Sequence, residues 1–67
     1  MPEKQFSGPA LAELRQKRKR TIQQVSSSCR VSALSVRSWE EGTCAPNAKY
    51  LGKLARDLKC RVQDFFR

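Results

Sequence analysis

The sequence predicts an all-α protein of five short helices, two of them forming a helix-turn-helix, and three observations carry that prediction. The run Ile22 to Glu41 places apolar and small residues where two helices crossing over a short turn need them. Apolar residues elsewhere recur at helical spacing, as in Leu11 and Leu14, or Leu51, Leu54, Ala55 and Leu58. Helix-start and helix-stop residues punctuate the chain, and nothing in it reads as a strand.

The first helix starts at Ser7-Gly8-Pro9, with proline near its first turn, and its spaced Leu11, Leu14 and Arg15 carry it to about Lys19. Thr21 and Gln24 have the spacing of a capping box, which sets the start of the second helix. Val25-Ser26 then supplies an apolar residue and a small one where the next helix crosses closely. Val31 plugs the turn, and Ser32 can cap the third helix by accepting its unpaired N–H groups. Val36 and Trp39 form the buried stripe of that helix, leaving Ala33, Leu34, Arg37 and Ser38 outward. Gly42 ends it, and Pro46 opens a fourth helix whose stripe is Leu51, Leu54, Ala55 and Leu58, flanked by Tyr50. Val62 to Phe66 reads as a short fifth helix whose Val62, Phe65 and Phe66 either close the core or meet a protein partner. Residues 1–8 form an N-terminal arm, either disordered or touching nucleic acid, and residues 9–67 form one domain without internal repeat or linker.

Composition narrows the function classes. Fourteen Lys and Arg against six Asp and Glu give a formal charge of +8, which attracts polyanions. No apolar run approaches the ~20 residues that span a bilayer, and the segment before Gly8 lacks the apolar stretch of a signal peptide, so a cytoplasmic, nucleoid-associated protein is expected. Cys29, Cys44 and Cys60 are odd in number, widely spaced and without any histidine, which indicates neither zinc nor a disulfide framework. Cys29 and Cys60 are expected as small buried residues and Cys44 in a loop, all reduced. With no histidine, no phosphate-cradling glycine loop and no paired carboxylates at useful spacing, no enzyme, cofactor or metal site is expected. A core of 67 residues is marginal, so oligomerisation would help it fold.

Taken together, Leu14-Arg15, Thr21 to Ser26, Val31-Ser32, Val36, Trp39-Glu40 with Gly42, Pro46 and the Leu51, Leu54-Ala55, Leu58 pattern ending in Phe66 resemble the helix-turn-helix domain of lambdoid phage repressors and Cro proteins, the Cro/C1-type or XRE family. The resemblance covers about Pro9 to Phe66. It implies a lambda repressor-like five-helix bundle, a homodimer on a near-palindromic operator, and a role in transcriptional control. It also implies a structural ion pair between Arg15 and Glu40, joining the first helix to the end of the recognition helix; the alternative is a phosphate contact by Arg15. The chain departs from the family at Arg30, Lys19 and Lys59, where glycine is usual, and at Arg20, where an apolar residue is usual. A non-glycine residue with positive φ costs roughly 1 kcal/mol, so Arg30 either accepts that strain or the turn shifts.

On this reading the helix 32–41 enters the major groove of double-stranded DNA. Arg37 is the side chain able to grip guanine, Ala33 and Leu34 can pack on thymine methyls, and Ser38 faces the bases, with Leu34 alternatively buried against the second helix. Phosphates fall to the amides of Ile22 and Gln23 at a helix N-terminus, with Arg20, Thr21, Ser32, Ser35, Thr43, Asn47 and Lys49 around them. Lys17-Arg-Lys-Arg20 adds either phosphate contacts or a solvated cluster at a helix C-terminus. Two other binding readings remain. One is a protein-interaction module, antitoxin-like or partner-binding, through Val62, Phe65 and Phe66. The other is charge-driven RNA binding, which the scarcity of aromatics (7%) disfavours.

Overall fold

The computed structural model describes residues 4–67, so Met1 to Glu3 of the expected arm lie outside the described residues. Four α-helices, α1 Gly8–Lys17, α2 Ile22–Cys29, α3 Ala33–Glu41 and α4 Ala48–Asp57, are followed by a single 3₁₀ turn, Val62–Phe65. The expected fifth helix is therefore a correction. The segment closes through i→i+3 bonds, the Asp64 N–H to Arg61 O at 3.0 Å and the Phe66 N–H to Gln63 O at 3.1 Å, and the extended Phe66 ends it after one turn.

Every α-helix starts on a side-chain oxygen. Ser7 accepts the Ala10 N–H at 3.2 Å, Thr21 that of Gln24 at 3.0 Å, Ser32 that of Ser35 at 3.1 Å, and Asn47 that of Tyr50 at 3.0 Å. Each such cap is worth about 1 kcal/mol. Gln24 returns the bond to the Thr21 N–H at 2.9 Å and completes the capping box. The start of α4 is thus Asn47 rather than Pro46, which is buried just ahead of the cap.

The four helices also end alike. Arg20, Val31, Thr43 and Cys60 donate backwards to Arg15, Ser26, Ser38 and Ala55, while the preceding Lys19, Arg30, Gly42 and Lys59 donate to Gln16, Ser27, Trp39 and Arg56. This paired pattern is the Schellman closure, which requires a left-handed residue. Gly42 takes it at φ 82°, but Lys19, Arg30 and Lys59 take it at φ 56°, 58° and 53° as L-residues with a Cβ. Arg30 accepts the strain and the turn does not shift.

Leu11, Val25, Val36, Leu54, Leu58 and Phe65 are fully buried and make one core, with Trp39 tilted against Tyr50 at 5.7 Å between ring centroids. The buried Ser26 lets α2 and α3 approach, and its hydroxyl donates to Gln23 O at 2.8 Å. The segment before α1 meets the one after the 3₁₀ turn. Gln5 and Arg67 exchange backbone bonds of 3.2 and 3.1 Å, and Phe6 packs edge-on to Phe66 at 6.2 Å. The apolar partner patch does not form, because Phe65 is fully buried, Phe66 is half-buried against Phe6, and Val62 alone is left exposed.

Cys29 is buried, Cys60 half-buried and Cys44 exposed, all as free thiols. Burial, reinforced by Asp57, pushes the Cys29 thiol up, and burial with Asp64 does the same for Cys60. The thiolate is the reactive form. Alkylation of the folded protein at pH 8 should label Cys44 first and Cys29 only on unfolding, as mass spectrometry of timed samples will show. Early labelling of Cys29 would contradict this core.

Candidate nucleic-acid interface

Helix α3 buries Val36 and Trp39 and turns Ala33, Leu34 and Arg37 to solvent, with Ser35 and Ser38 half-buried. Leu34 is 70% exposed, so it does not pack on α2. Among the described residues Arg37 makes no ion pair, which leaves its guanidinium free.

Around this face stand the starts of α2 and α4. Thr21, Ile22 and Gln23 form the first, with Thr21 and Gln23 exposed and Ile22 half-buried; Thr43, Asn47 and Lys49 are exposed at the second. The hydroxyls of Thr21 and Ser32 and the amide oxygen of Asn47 each hold a cap bond, and Ser35 Oγ lies 3.0 Å from Ser32 Oγ. Each cap bond takes up the third N–H of its helix and leaves the two before it, those of Ile22 and Gln23 in α2, outside the cap. The first N–H groups of each helix have no intrahelical partner and carry positive partial charge, which suits an anion.

Arg15 and Glu40 meet as a two-point pair, Nε to Oε2 at 2.6 Å and Nη2 to Oε1 at 3.2 Å, with side chains only 14% and 11% exposed. The third arm of the same guanidinium donates to Arg20 O at 2.9 Å. One side chain of α1 thereby holds both the end of α3 and the loop entering α2. Removing it leaves a half-buried carboxylate without its partner. Arg15→Ala should therefore lower stability by about 1–2 kcal/mol, read by chemical denaturation. Unchanged stability with weaker DNA binding would identify Arg15 as a phosphate contact instead.

Arg20, expected among the phosphate contacts, is occupied internally. It donates to Asp57 Oδ1 at 2.8 Å and to Ser28 Oγ at 3.0 Å, tying the α1–α2 loop to α4. Arg18 likewise donates to the carbonyls of Leu58 at 2.9 Å and Lys59 at 3.1 Å, satisfying the end of α4. Sequence reasoning missed both ties, including Asp57 as the acceptor for Arg20. Their only advance sign was the basic run itself. Lys17 and Lys19 remain exposed.

No group of His, Cys, Asp and Glu among the described residues is placed to hold a metal ion, and no described helix is long and apolar enough to cross a membrane.

A family model described as helix-turn-helix matches residues 11–65. A search of curated proteins finds no match. Among solved structures, the chain is similar to the P22 c2 repressor bound to a synthetic operator, with 24% identity, a TM-score of 0.85, and 94% of this chain and 96% of that one covered. It is also similar to the clp gene regulator ClgR of Corynebacterium glutamicum, with 24% identity, a TM-score of 0.82 and 87% of this chain covered, although it spans only 62% of that regulator. A third similar structure is the restriction-modification controller protein C.AhdI of Aeromonas hydrophila, with 22% identity, a TM-score of 0.82, and 88% and 89% of the two chains covered.

Proposed function

The chain belongs to the helix-turn-helix family, in its Cro/C1-type branch, and on that premise we propose that it is a sequence-specific double-stranded DNA-binding transcriptional regulator. It acts as a dimeric repressor on a near-palindromic operator, with the helix of residues 32–41 in the major groove. The observation that carries this reading is the outer face of α3, where an exposed leucine and an unpaired arginine sit on a helix held rigidly from behind by Arg15. The exposed leucine can pack on a thymine methyl, Arg37 supplies a guanine fork, and Ala33 and Ser38 complete the face. The amides of Ile22 and Gln23, with Thr21, Ser32, Ser35, Thr43, Asn47 and Lys49, hold phosphates on either side. Support also comes from the P22 c2 repressor, whose structure contains a synthetic operator. The protein-interaction reading has lost its aromatic patch to the core.

Selection from random duplexes at physiological salt tests the proposal. It should return half-sites about one helical turn apart. Arg37→Ala should cost about 1–3 kcal/mol of discrimination at one position. Leu34→Ala should leave the melting temperature unchanged within a degree or two while weakening binding to the selected site, because the side chain contributes little to the core. A selection without enrichment would overturn the proposal.

A further inference from the structure

A groove of about 940 Å³ runs between the ends of α1 and α2 and the outer face of α4, and no residue of α3 lines it. Besides Arg18 and Arg20, which are held by internal bonds, its walls carry Arg30, Lys49, Lys53, Arg56 and Lys59. The single carboxylate among the lining residues, Asp57, is already paired with Arg20. We propose that this groove is a second nucleic-acid backbone site, which follows the phosphates of a duplex away from the recognition helix and shares only Lys49 with the operator-facing contacts. The proposal goes beyond the regulator reading, since it needs no sequence preference.

Three observations point to phosphates on a chain. None of the five free cations has an ion-pair partner among the described residues, and together they account for most of the chain's excess charge of +8. Two of the five, Arg30 and Lys59, occupy left-handed backbone positions at φ 58° and 53° where glycine is cheaper. Helix closure sets that conformation, as it does at Lys19 outside the groove, and it brings the two cations to the groove's edge at the ends of α2 and α4. On the floor, Gly52 sits in the interior of α4 although a Cβ there would meet nothing within 4 Å, so packing does not demand glycine and its absence of side chain leaves the helix open to close approach. No aromatic ring lines the groove for a base, and its cations lie mostly at the exposed rim, with the Lys49 and Lys53 ammoniums over the Tyr50 ring at 6.0 and 5.6 Å, which suits repeated monoanionic phosphates held by counterion release.

The test uses a scrambled 25-base-pair duplex and fluorescence anisotropy over a salt series. Lys53→Gln/Arg56→Gln should weaken binding roughly tenfold to hundredfold at 0.1 M salt and make the salt slope shallower by about two. Its preference for a selected site over the scrambled one should be retained. Gly52→Glu should bind the duplex more weakly while melting at or above the parent temperature, which separates the groove from the fold. Lys4→Gln/Lys17→Gln, equal in net charge but outside the groove, should lose far less. Groove variants no weaker than this control would overturn the proposal, as would inorganic tripolyphosphate or an acidic peptide binding one-to-one in the groove without displacing the duplex. Failure to select any preferred sequence, with groove variants still weakened, would sink the regulator reading and leave the groove standing.

Discussion

Gly8→Ala is expected to damage the fold severely for the addition of one methyl, lowering stability by about 3 kcal/mol and the melting temperature by roughly 10–25 °C. A methyl at Gly8 would lie 2.6 Å from the Trp39 carbonyl oxygen and closer still to that of Glu40. Both are backbone atoms of the last turn of α3, so no side-chain rotation relieves the overlap, and the two helices must separate. Separation would also pull apart Arg15 and Glu40, which join the same pair of helices. A domain of this size has only about 3–10 kcal/mol in hand. The contact has an electrostatic logic as well, since the positive start of α1 is brought against the negative end of α3. Thermal and urea unfolding of the variant will show the effect. A loss below 1 kcal/mol would mean that α1 does not approach α3 this closely. Because α1 positions the recognition helix, DNA binding measured well below the melting temperature should fall with stability.

The triple variant Lys19→Gly, Arg30→Gly, Lys59→Gly is expected to move stability the other way, by about 2 kcal/mol and roughly 8–16 °C. Each residue holds a left-handed backbone at the closure of a helix, with φ of 56°, 58° and 53°. Glycine removes the Cβ clash of roughly 1–2 kcal/mol per site, and its greater freedom in the unfolded chain returns part of that gain. Gly42, which closes α3 the same way at φ 82°, already has the relaxed solution. The stabilised protein should bind scrambled DNA more weakly, because Arg30 and Lys59 leave the groove with their charges. A triple variant that melts at the parent temperature would show that the closures carry no strain.

The starts of the first three helices and the turn were legible from the sequence because they depend on residues close together in it. Thr21 with Gln24, Ser32 with Ser35, and Gly42 act within one turn of backbone, so their spacing is their geometry. The outward set of α3 follows from Val36 and Trp39 by helical period alone. The Arg15–Glu40 pair was named only through family resemblance, since nothing local joins residues 25 positions apart. Pro46 was misread as the start of α4 because proline and Asn47 both signal a helix start, and only the cap bond to Tyr50 decides between them. The groove had one sign in the sequence that was passed over: Lys49, Lys53 and Arg56 recur at helical spacing opposite the leucine stripe.

The sequence by itself determined that the chain is helical, where its first three helices begin, that two of them form a helix-turn-helix, and that it carries an excess of positive charge. Tertiary structure alone decided the rest. It assigned Arg18 and Arg20 to internal carbonyls and Asp57, leaving the neighbouring lysines exposed, although all four are adjacent and chemically alike. It made Gly8 a contact point between helices rather than a mere helix start, and it drew Phe65 into the core while leaving Leu34 outside. The physical reason is range: capping and periodicity act over three or four residues, whereas burial and ion pairing depend on which distant surfaces packing brings together.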